Sequence, residues 1–428
     1  MLPDSWNKAC LPAFAAIVAG TMGHLIPIGH ARAADLVVTT IEGRTIPGQY
    51  AGITDDGLFQ VDADGPLQQI DLDDLQAVEF TGPRPATTMP QLDNPVVFHF
   101  APRGLLHAVI VGWADSGIDV RTAFSQSLTL ALDRLQAVRL AEPTSHPQAD
   151  ELFQTELSNR LPGKDVLITR AAGKSRALRG RLTFLDAEQG GLIFGDRERT
   201  FQLNTLYGIV FAKGTSPVAT DNCLVDLAQG DHIPGRLVAS DTQNLHLQFG
   251  QGQTLTIPID RVRHITQRSR RVAYLSDLTP TRQDVRGIIH DPWPVRFDRS
   301  VSNQLLTLGG RTFDKGIGVH ARTKLIYTLG GAYERFCATI GIDDAVRPRG
   351  HVLFRLVGDG RTIFDSGRVD GSQPPREVSV NVAGIDRLTL RVDYGQQADL
   401  ADHADWADAR LIKPRSTARC DRAENTAP

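Results

Sequence analysis

The chain is poor in cysteine, which limits the chemistry that it can support. Four cysteines occur in 428 residues and no two of them form a Cys-x-x-Cys pair, so the sequence indicates neither a zinc site nor a disulfide framework. Cys10 lies in the first, apolar segment. We interpret Cys223 and Cys337 as small core residues on strands and Cys420 as a free thiol in a polar tail.

An excess of charge of one sign is also lacking. The 46 Lys and Arg residues nearly balance the 49 Asp and Glu residues, for a net charge of -3. Nucleic acid and acidic membrane surfaces attract proteins with a basic field, so we expect neither as a partner. The sequence contains no P-loop, His-Glu-x-x-His pair, nucleophile elbow or EF-hand loop. We therefore expect a protein that is not an enzyme.

Long apolar runs are absent after the beginning of the chain. Lys8 precedes an apolar run over residues 9–28, and Ala31-Arg32-Ala33 follows it. This order predicts a signal peptide over residues 1–33 with cleavage after Ala33; an uncleaved anchor is the alternative. Proline and glycine interrupt the run, which argues against a transmembrane helix, and we expect no membrane insertion of the mature chain. The expected location is extracytoplasmic: secreted, periplasmic or cell-surface.

A repeated tag organises the next part of the chain. Leu75-Gln76-Ala77-Val78 returns as Leu135-Gln136-Ala137-Val138, each closing a stretch of short alternating strands and polar turns. Two weaker echoes follow. The sequence therefore predicts four small SH3-like or Sm-like β-barrel repeats, over residues 34–80, 95–141, 165–212 and 221–267. We expect neighbouring repeats to pack together, because so short a barrel buries little by itself.

Two linkers separate the repeats. Residues 81–94 are rich in proline and threonine and predict an extended spacer. Residues 142–164 contain a helical stripe of apolar side chains at 149–157, which predicts a connector that lays one face across a barrel. The tail at 414–428 has no apolar pattern, and we expect it to be disordered.

The C-terminal part alternates between apolar and polar residues throughout. Phe336, Ala338 and Ile340 share one parity, and Asp359-Gly360 predicts a tight hairpin between two such stretches. The pattern predicts a β-sandwich of about eight to ten strands. The whole chain is therefore expected to be all-β.

Three islands in this part carry a family resemblance. They are the glycine-punctuated stretch 309–322, Gly341-Ile342-Asp343-Asp344, and the polar stretch 402–411. In this order they resemble the NPCBM family, also classed as carbohydrate-binding module family 51 and found attached to family 98 glycoside hydrolases. The resemblance covers residues 271–413 and implies a galactose-binding-like jelly roll that binds galactose-type glycans through loops at one edge. In glycosidases with this module, catalysis lies in a separate domain, which we do not find here.

Asp343 and Asp344 are candidate site residues at the end of a strand. Adjacent strand residues point to opposite faces, so the pair is not placed to flank a glycosidic bond together. One of them could accept sugar hydroxyls or ligate calcium. The alternative for both is an Asp that caps a loop.

His403 and Asp405 share one strand face, and Trp406 and Asp408 share the other. We expect His403 and Asp405 to meet ligand, or calcium near Asp343 and Asp405, at a rim. Trp406 is either a stacking platform for sugar or core filling. Asp408 is expected to form a salt bridge within the fold.

His320 and Arg322 also share a parity and follow the glycine-rich loop. The guanidinium offers a fork of donors for vicinal hydroxyls. His320 is either a ligand-facing residue or a satisfied structural histidine.

The leading hypothesis is a secreted, non-catalytic carbohydrate-binding protein whose repeats are a spacer or assembly platform with a protein partner. The alternatives are an extracytoplasmic scaffold without sugar binding and, more weakly, a glycoside hydrolase.

Overall fold

The computed structural model describes residues 34–63, 65–82, 92–101, 103–114, 117–170, 175–214, 221–249, 253–287, 292–395 and 401–415. These residues belong to one compact body that begins at Ala33. The predicted signal peptide and most of the proline-rich linker and of the tail, with Cys420, lie outside them. Within these ranges, no helix is both long and apolar enough to cross a membrane.

The described residues between 35 and 267 form twenty strands. The first five are β1 (Asp35–Thr40), β2 (Thr45–Ile53), β3 (Leu58–Asp62), β4 (Gln68–Asp71) and β5 (Leu75–Phe80). The next five are β6 (Val96–Phe100), β7 (Gly104–Ala114), β8 (Gly117–Arg121), β9 (Leu128–Ala131) and β10 (Leu135–Arg139). Then come β11 (Asp165–Thr169), β12 (Ala177–Leu185), β13 (Gln189–Phe194), β14 (Arg197–Gln202) and β15 (Leu206–Val210). The last five are β16 (Cys223–Leu227), β17 (His232–Leu237), β18 (Asn244–Phe249), β19 (Gln253–Pro258) and β20 (Val262–Gln267).

The pairing of these strands recurs with a period of five. In each group the first four strands form an antiparallel meander, and the fifth strand returns to pair with the first. Further pairings between groups link all twenty strands into one hydrogen-bonded network. Their apolar side chains form one continuous core. The SH3-like or Sm-like form of each group and the four repeat boundaries stay predictions.

The groups join through strands that carry the closing tag. Val78 of β5 lies opposite Ile265 of β20, and Val138 of β10 lies opposite Ile209 of β15. All four side chains are 0% exposed. The tag therefore supplies apolar residues to the seams between groups as well as to the core of each group.

The helix lies close to its predicted position. α1 (Pro147–Ser158) buries Ala149 and Phe153 against the seam between β10 and β15. Its apolar face meets Tyr207, whose hydroxyl donates to Asp150 over 2.6 Å. The helix thus covers apolar residues of two groups at once.

In the C-terminal part, the described residues form thirteen strands, more than the eight to ten predicted. They are β21 (Val272–Tyr274), β22 (Arg282–Val285), β23 (Arg296–Phe297), β24 (Leu306–Leu308), β25 (Arg311–Phe313), β26 (Gly316–His320), β27 (Thr323–Thr328), β28 (Arg335–Ile342), β29 (His351–Gly358), β30 (Arg361–Asp370), β31 (Arg376–Asn381), β32 (Arg387–Tyr394) and β33 (His403–Ile412). The excess arises because loops between the main strands add short pairs such as β24 with β25.

The main strands form a sandwich. One sheet has the order β23-β26-β33-β28-β31, with β21 also paired to β33, and the other has the order β22-β27-β32-β29-β30. Trp406 of the first sheet packs edge-on against Phe354 of the second, with ring centroids 4.9 Å apart. Asp359 and Gly360 take positive φ in the predicted hairpin between β29 and β30. The all-β prediction is confirmed.

Arg410 of β33 links this sandwich to the first group of strands by a hydrogen bond. Its side chain is buried, and its Nε donates to the carbonyl of Ile41 over 2.8 Å. Asp408, on the same strand, pairs with Arg410 as predicted for a residue within the fold, and accepts a hydrogen bond of 3.0 Å from Gln76. Cys337 packs beside Ile41 in a small buried cluster. Among the described residues, Cys223 and Cys337 are free and buried.

Candidate functional site

Two histidines mark one end of the first sheet. His320 is the last residue of β26, His403 is the first residue of β33, and the two are register partners. Their rings are 5.7 Å apart and nearly perpendicular. His320 is 6% exposed, and His403 is half-buried. The strand ends therefore bring together two candidates that are 83 positions apart in sequence.

Trp293 completes this group of rings. Its indole stacks on His320 at a centroid distance of 6.0 Å and an interplanar angle of 19°, and it meets His403 at 5.1 Å. The side chain is 42% exposed, one of the largest apolar groups left open to solvent. We call Trp293, His320 and His403 the ring cluster.

Asp405 does not lie at a rim, so that prediction was wrong. It is 0% exposed. Its register partners are glycines on both sides, Gly318 of β26 and Gly341 of β28. A Cβ at Gly318 would come within 2.6 Å of Ser300, so the loop after β23 lies directly on this face of the sheet. Strand parity predicted correctly which face of the sheet Asp405 takes, but the loop after β23 covers that face.

Asp343 faces Asp405 in this buried space. Within the described residues, neither carboxylate oxygen of Asp405, nor Oδ2 of Asp343, has a hydrogen-bond partner. Burial, together with the charges of Asp343 and Asp344, raises the pKa of Asp405 well above its ordinary value. This buried space therefore favours the protonated form of Asp405.

The two adjacent aspartates also anchor loops. Oδ1 of Asp343 accepts from the N–H of Ala345 over 3.0 Å, a local cap. Asp344 accepts from the N–H groups of Gly309 and Gly310, over 2.9 Å and 2.7 Å, and pairs with Arg347. Loop capping, the predicted alternative, accounts for these contacts, and a role in ligand binding stays a prediction.

Trp406 lies in the core. It is 1% exposed and packs against Phe336 and Phe354, so its indole has no face for a sugar. Arg322 does not share the strand of His320, because β26 ends at His320 and Arg322 takes φ 64° in the turn that follows. The prediction that Arg322 shares a strand parity with His320 was therefore wrong.

His403 is held by a neighbouring hydroxyl. Its Nδ1 lies 3.2 Å from the Oγ of Ser302, on the loop that also covers Asp405. Burial lowers the pKa of His403, while the charge of Asp343 opposes the shift. The imidazole is therefore neutral at pH 7.

The predicted calcium site finds no support among these side chains. Calcium takes six to eight oxygen ligands. Within the described part of the chain, no group of three or more His, Cys, Asp or Glu side chains is arranged to hold a metal ion. The buried pair of Asp343 and Asp405 supplies too few oxygens on its own.

Sequence reasoning missed Trp293. The residue stands between Pro292 and Pro294, in a segment without alternation, so no strand pattern drew attention to it. Its position outside any strand pattern could have indicated an exposed ring, because a tryptophan outside the regular strands has no sheet face in which to be buried.

Residues 271–412 match the model of the NPCBM/NEW2 domain, and this part of the chain is an NPCBM domain. A candidate endo-alpha-N-acetylgalactosaminidase of Renibacterium salmoninarum is 32% identical over 107 residues, which are 25% of this chain and 7% of that protein. Alpha-1,3-galactosidase B of Akkermansia muciniphila is 32% identical over 137 residues, or 31% of this chain and 16% of that protein. The chain thus spans only a small part of these curated relatives.

Solved structures of family 51 modules from Clostridium perfringens are also similar. The module of GH95 in complex with methyl-galactose is 29% identical and covers 33% of this chain and 99% of its own, with a TM-score of 0.30. The second module of ZmpB, in complex with GlcNAc and with INT domains, is 24% identical and covers 44% and 40%, with a TM-score of 0.31.

Proposed function

We propose that the NPCBM domain binds carbohydrate at the ring cluster, with Trp293 as the stacking platform. The open indole carries the proposal. An aromatic face attracts the polarised C–H bonds of a pyranose, and an exposed tryptophan costs free energy to leave in water. Trp293 is 42% exposed and stacks on His320, so the indole is supported by the imidazole and still leaves part of its surface to a ligand.

His403 supplies the polar contact beside this platform. Its Nδ1 is engaged with Ser302, which leaves Nε2 for a sugar hydroxyl. A neutral imidazole offers one donor or one acceptor at that atom, according to its tautomer. An apolar surface with a few placed polar groups is the usual composition of a small-molecule site. The names of the relatives, which include a galactosidase and an N-acetylgalactosaminidase, favour galactose-type glycans as the ligand.

The site suits binding better than hydrolysis. A glycosidase needs two carboxyl groups about 5–10 Å apart on either side of an accessible glycosidic bond. Asp343 and Asp405 are 2% and 0% exposed and face each other, so a sugar has no place between them. We infer a non-catalytic protein that acts outside the cytoplasm, with the strand groups as spacer or platform.

A glycan array tests this proposal. The parent chain is expected to bind galactose-terminated glycans, and Trp293→Ala is expected to lose that binding. Phe297→Ala is the matched control, because it also removes an exposed aromatic, 37% exposed, on the neighbouring β23. Equal binding by the parent and Trp293→Ala would contradict the site. If the parent binds no glycan, the scaffold alternative takes the lead.

A further inference from the structure

The first group of strands contains a cavity that the ring cluster does not use. It has a volume of about 450 Å³ and lies beside the turn between β1 and β2. Small-molecule sites in proteins usually occupy about 300–1,000 Å³. The cavity is therefore large enough for a ligand of the size of a mono- or disaccharide.

Leu58 of β3 gives this cavity an apolar contact. Its methyl groups offer a surface against which the C–H face of a sugar ring can pack without loss of hydrogen bonds. Ile70 of β4 also lines the cavity, but it pairs with Phe59, and its side chain lies with Phe59 on the core face of the meander.

The walls carry polar side chains that can donate hydrogen bonds and others that can accept them. Glu42 and Arg44 stand on the turn after β1, and Gln69 stands on β4; all three are exposed. Within the described residues, none of these three side chains makes a hydrogen bond to another side chain or to the backbone. They are thus available to a ligand without the loss of an internal contact.

The charges around the cavity nearly cancel. Asp74 is neutralised by Arg271 and Arg415, which both pair with it. Arg44 then stands against Glu42, and Asp71 already accepts from the N–H of Asp73 over 2.9 Å, so the walls do not favour a strongly charged ligand of either sign. A sugar hydroxyl both donates and accepts, and mixed carboxylate, amide and guanidinium groups satisfy both roles.

We propose that this cavity is a second carbohydrate site, for a neutral mono- or disaccharide, independent of the ring cluster. Glu42 accepts from a hydroxyl, Arg44 and Gln69 donate to others, and Leu58 supports the ring. Two sites on one chain raise the affinity for a surface that carries many glycans, because the second contact becomes intramolecular.

Methyl NMR of the full chain tests this inference. The chain carries Trp293→Ala and is labelled at isoleucine and leucine methyl groups, and the neutral disaccharides N-acetyllactosamine, maltose and N,N′-diacetylchitobiose are the probes. We expect a saccharide to shift the methyl signals of Leu58 and Ile70. Adding Glu42→Gln and Arg44→Met should weaken that binding by about tenfold or more, since two charged hydrogen bonds are lost. Asp196→Asn, on an exposed turn of the third group, is the control and should change nothing.

The outcomes separate this inference from the proposed function. If the parent binds a probe and the Leu58 and Ile70 signals stay still, the second site is wrong and the ring cluster stands. If those signals move equally with and without Trp293 and no other site responds, the second site stands and the ring cluster is wrong. Binding that survives the double substitution at Glu42 and Arg44 unchanged would also overturn the second site.

Discussion

His320 and His403 lie directly opposite each other on β26 and β33, with ring centroids 5.7 Å apart. Because one residue ends its strand and the other begins its strand, both imidazoles stand at the same edge of the sandwich. That edge also holds Trp293 and the loop with Ser302. The NPCBM domain thus places its open aromatic ring on elements fixed by strand pairing.

Trp406→Ala and Trp293→Ala should differ in their effect on the stability of the protein. Trp406 is fully buried between the sheets, so its truncation should lower the free energy of unfolding by about 3–5 kcal/mol. Trp293 is largely exposed, and its truncation should cost less than about 1 kcal/mol. Urea unfolding of both variants measures the difference. Similar losses for the two would contradict their assignment to core and surface.

Asp405→Asn should stabilise the protein at neutral pH. The folded state raises the pKa of Asp405, so between the ordinary carboxyl pKa and that raised value the folded chain binds a proton that the unfolded chain lacks. Stability therefore falls as pH rises through this window, and the amide variant does not share that loss. Its nitrogen can also donate to Asp343. Thermal unfolding should show a higher Tm than the parent at pH 7.5 and no such gain at pH 4. A lower Tm at pH 7.5 would count against the raised pKa of Asp405.

His107→Gln should weaken the protein more at low pH than at high pH. His107 of β7 pairs over 2.7 Å with Asp231, which is 1% exposed, and this bond raises the pKa of the imidazole. The stabilisation is fully present below about pH 6.5, the ordinary histidine value, and disappears as pH rises through the raised pKa. Urea midpoints of parent and variant should differ at pH 5.5 and converge at pH 9. His246→Gln is a control on β18.

Arg410→Met should loosen the connection between the NPCBM domain and the first strand group. The substitution keeps an unbranched apolar stem and removes the donors to Ile41 and Asp408, so the buried carbonyl of Ile41 loses its partner while Asp408 keeps only its bond from Gln76. We expect a loss of about 2–3 kcal/mol. Arg355→Met, an ion-paired arginine on the other sheet, should cost under about 1 kcal/mol. Differential scanning calorimetry should show one transition for the parent and two for Arg410→Met. Two transitions in the parent would show that the connection is weak.

Periodicity predicted the elements of this fold well. The stripe at 149–157 lies within α1, and the two Leu-Gln-Ala-Val tags begin β5 and β10. Both depend on local patterns, in which burial on one face repeats with the period of the element. The alternation around Trp406 likewise distinguished the core face from the other face of β33.

The site was less predictable, because parity says which face a residue takes and not what covers that face. Asp405 points away from the core as predicted, yet the loop at Ser300 buries it. Trp293 belongs to no long strand, so its position beside His320 depends on a tertiary contact that no local pattern encodes. Arg322 left its predicted face because a turn replaced the strand one residue earlier.

The indole signals of the full chain test the central claim most directly. The protein has four tryptophans, so a spectrum of the chain labelled at tryptophan nitrogen contains at most four indole N–H signals, each assignable by substitution. Titration with a glycan that the array identifies should shift the Trp293 signal in a saturable manner and leave Trp406 and Trp113 in place. A saturating shift elsewhere, with the Trp293 signal unchanged, would contradict sugar binding at the ring cluster.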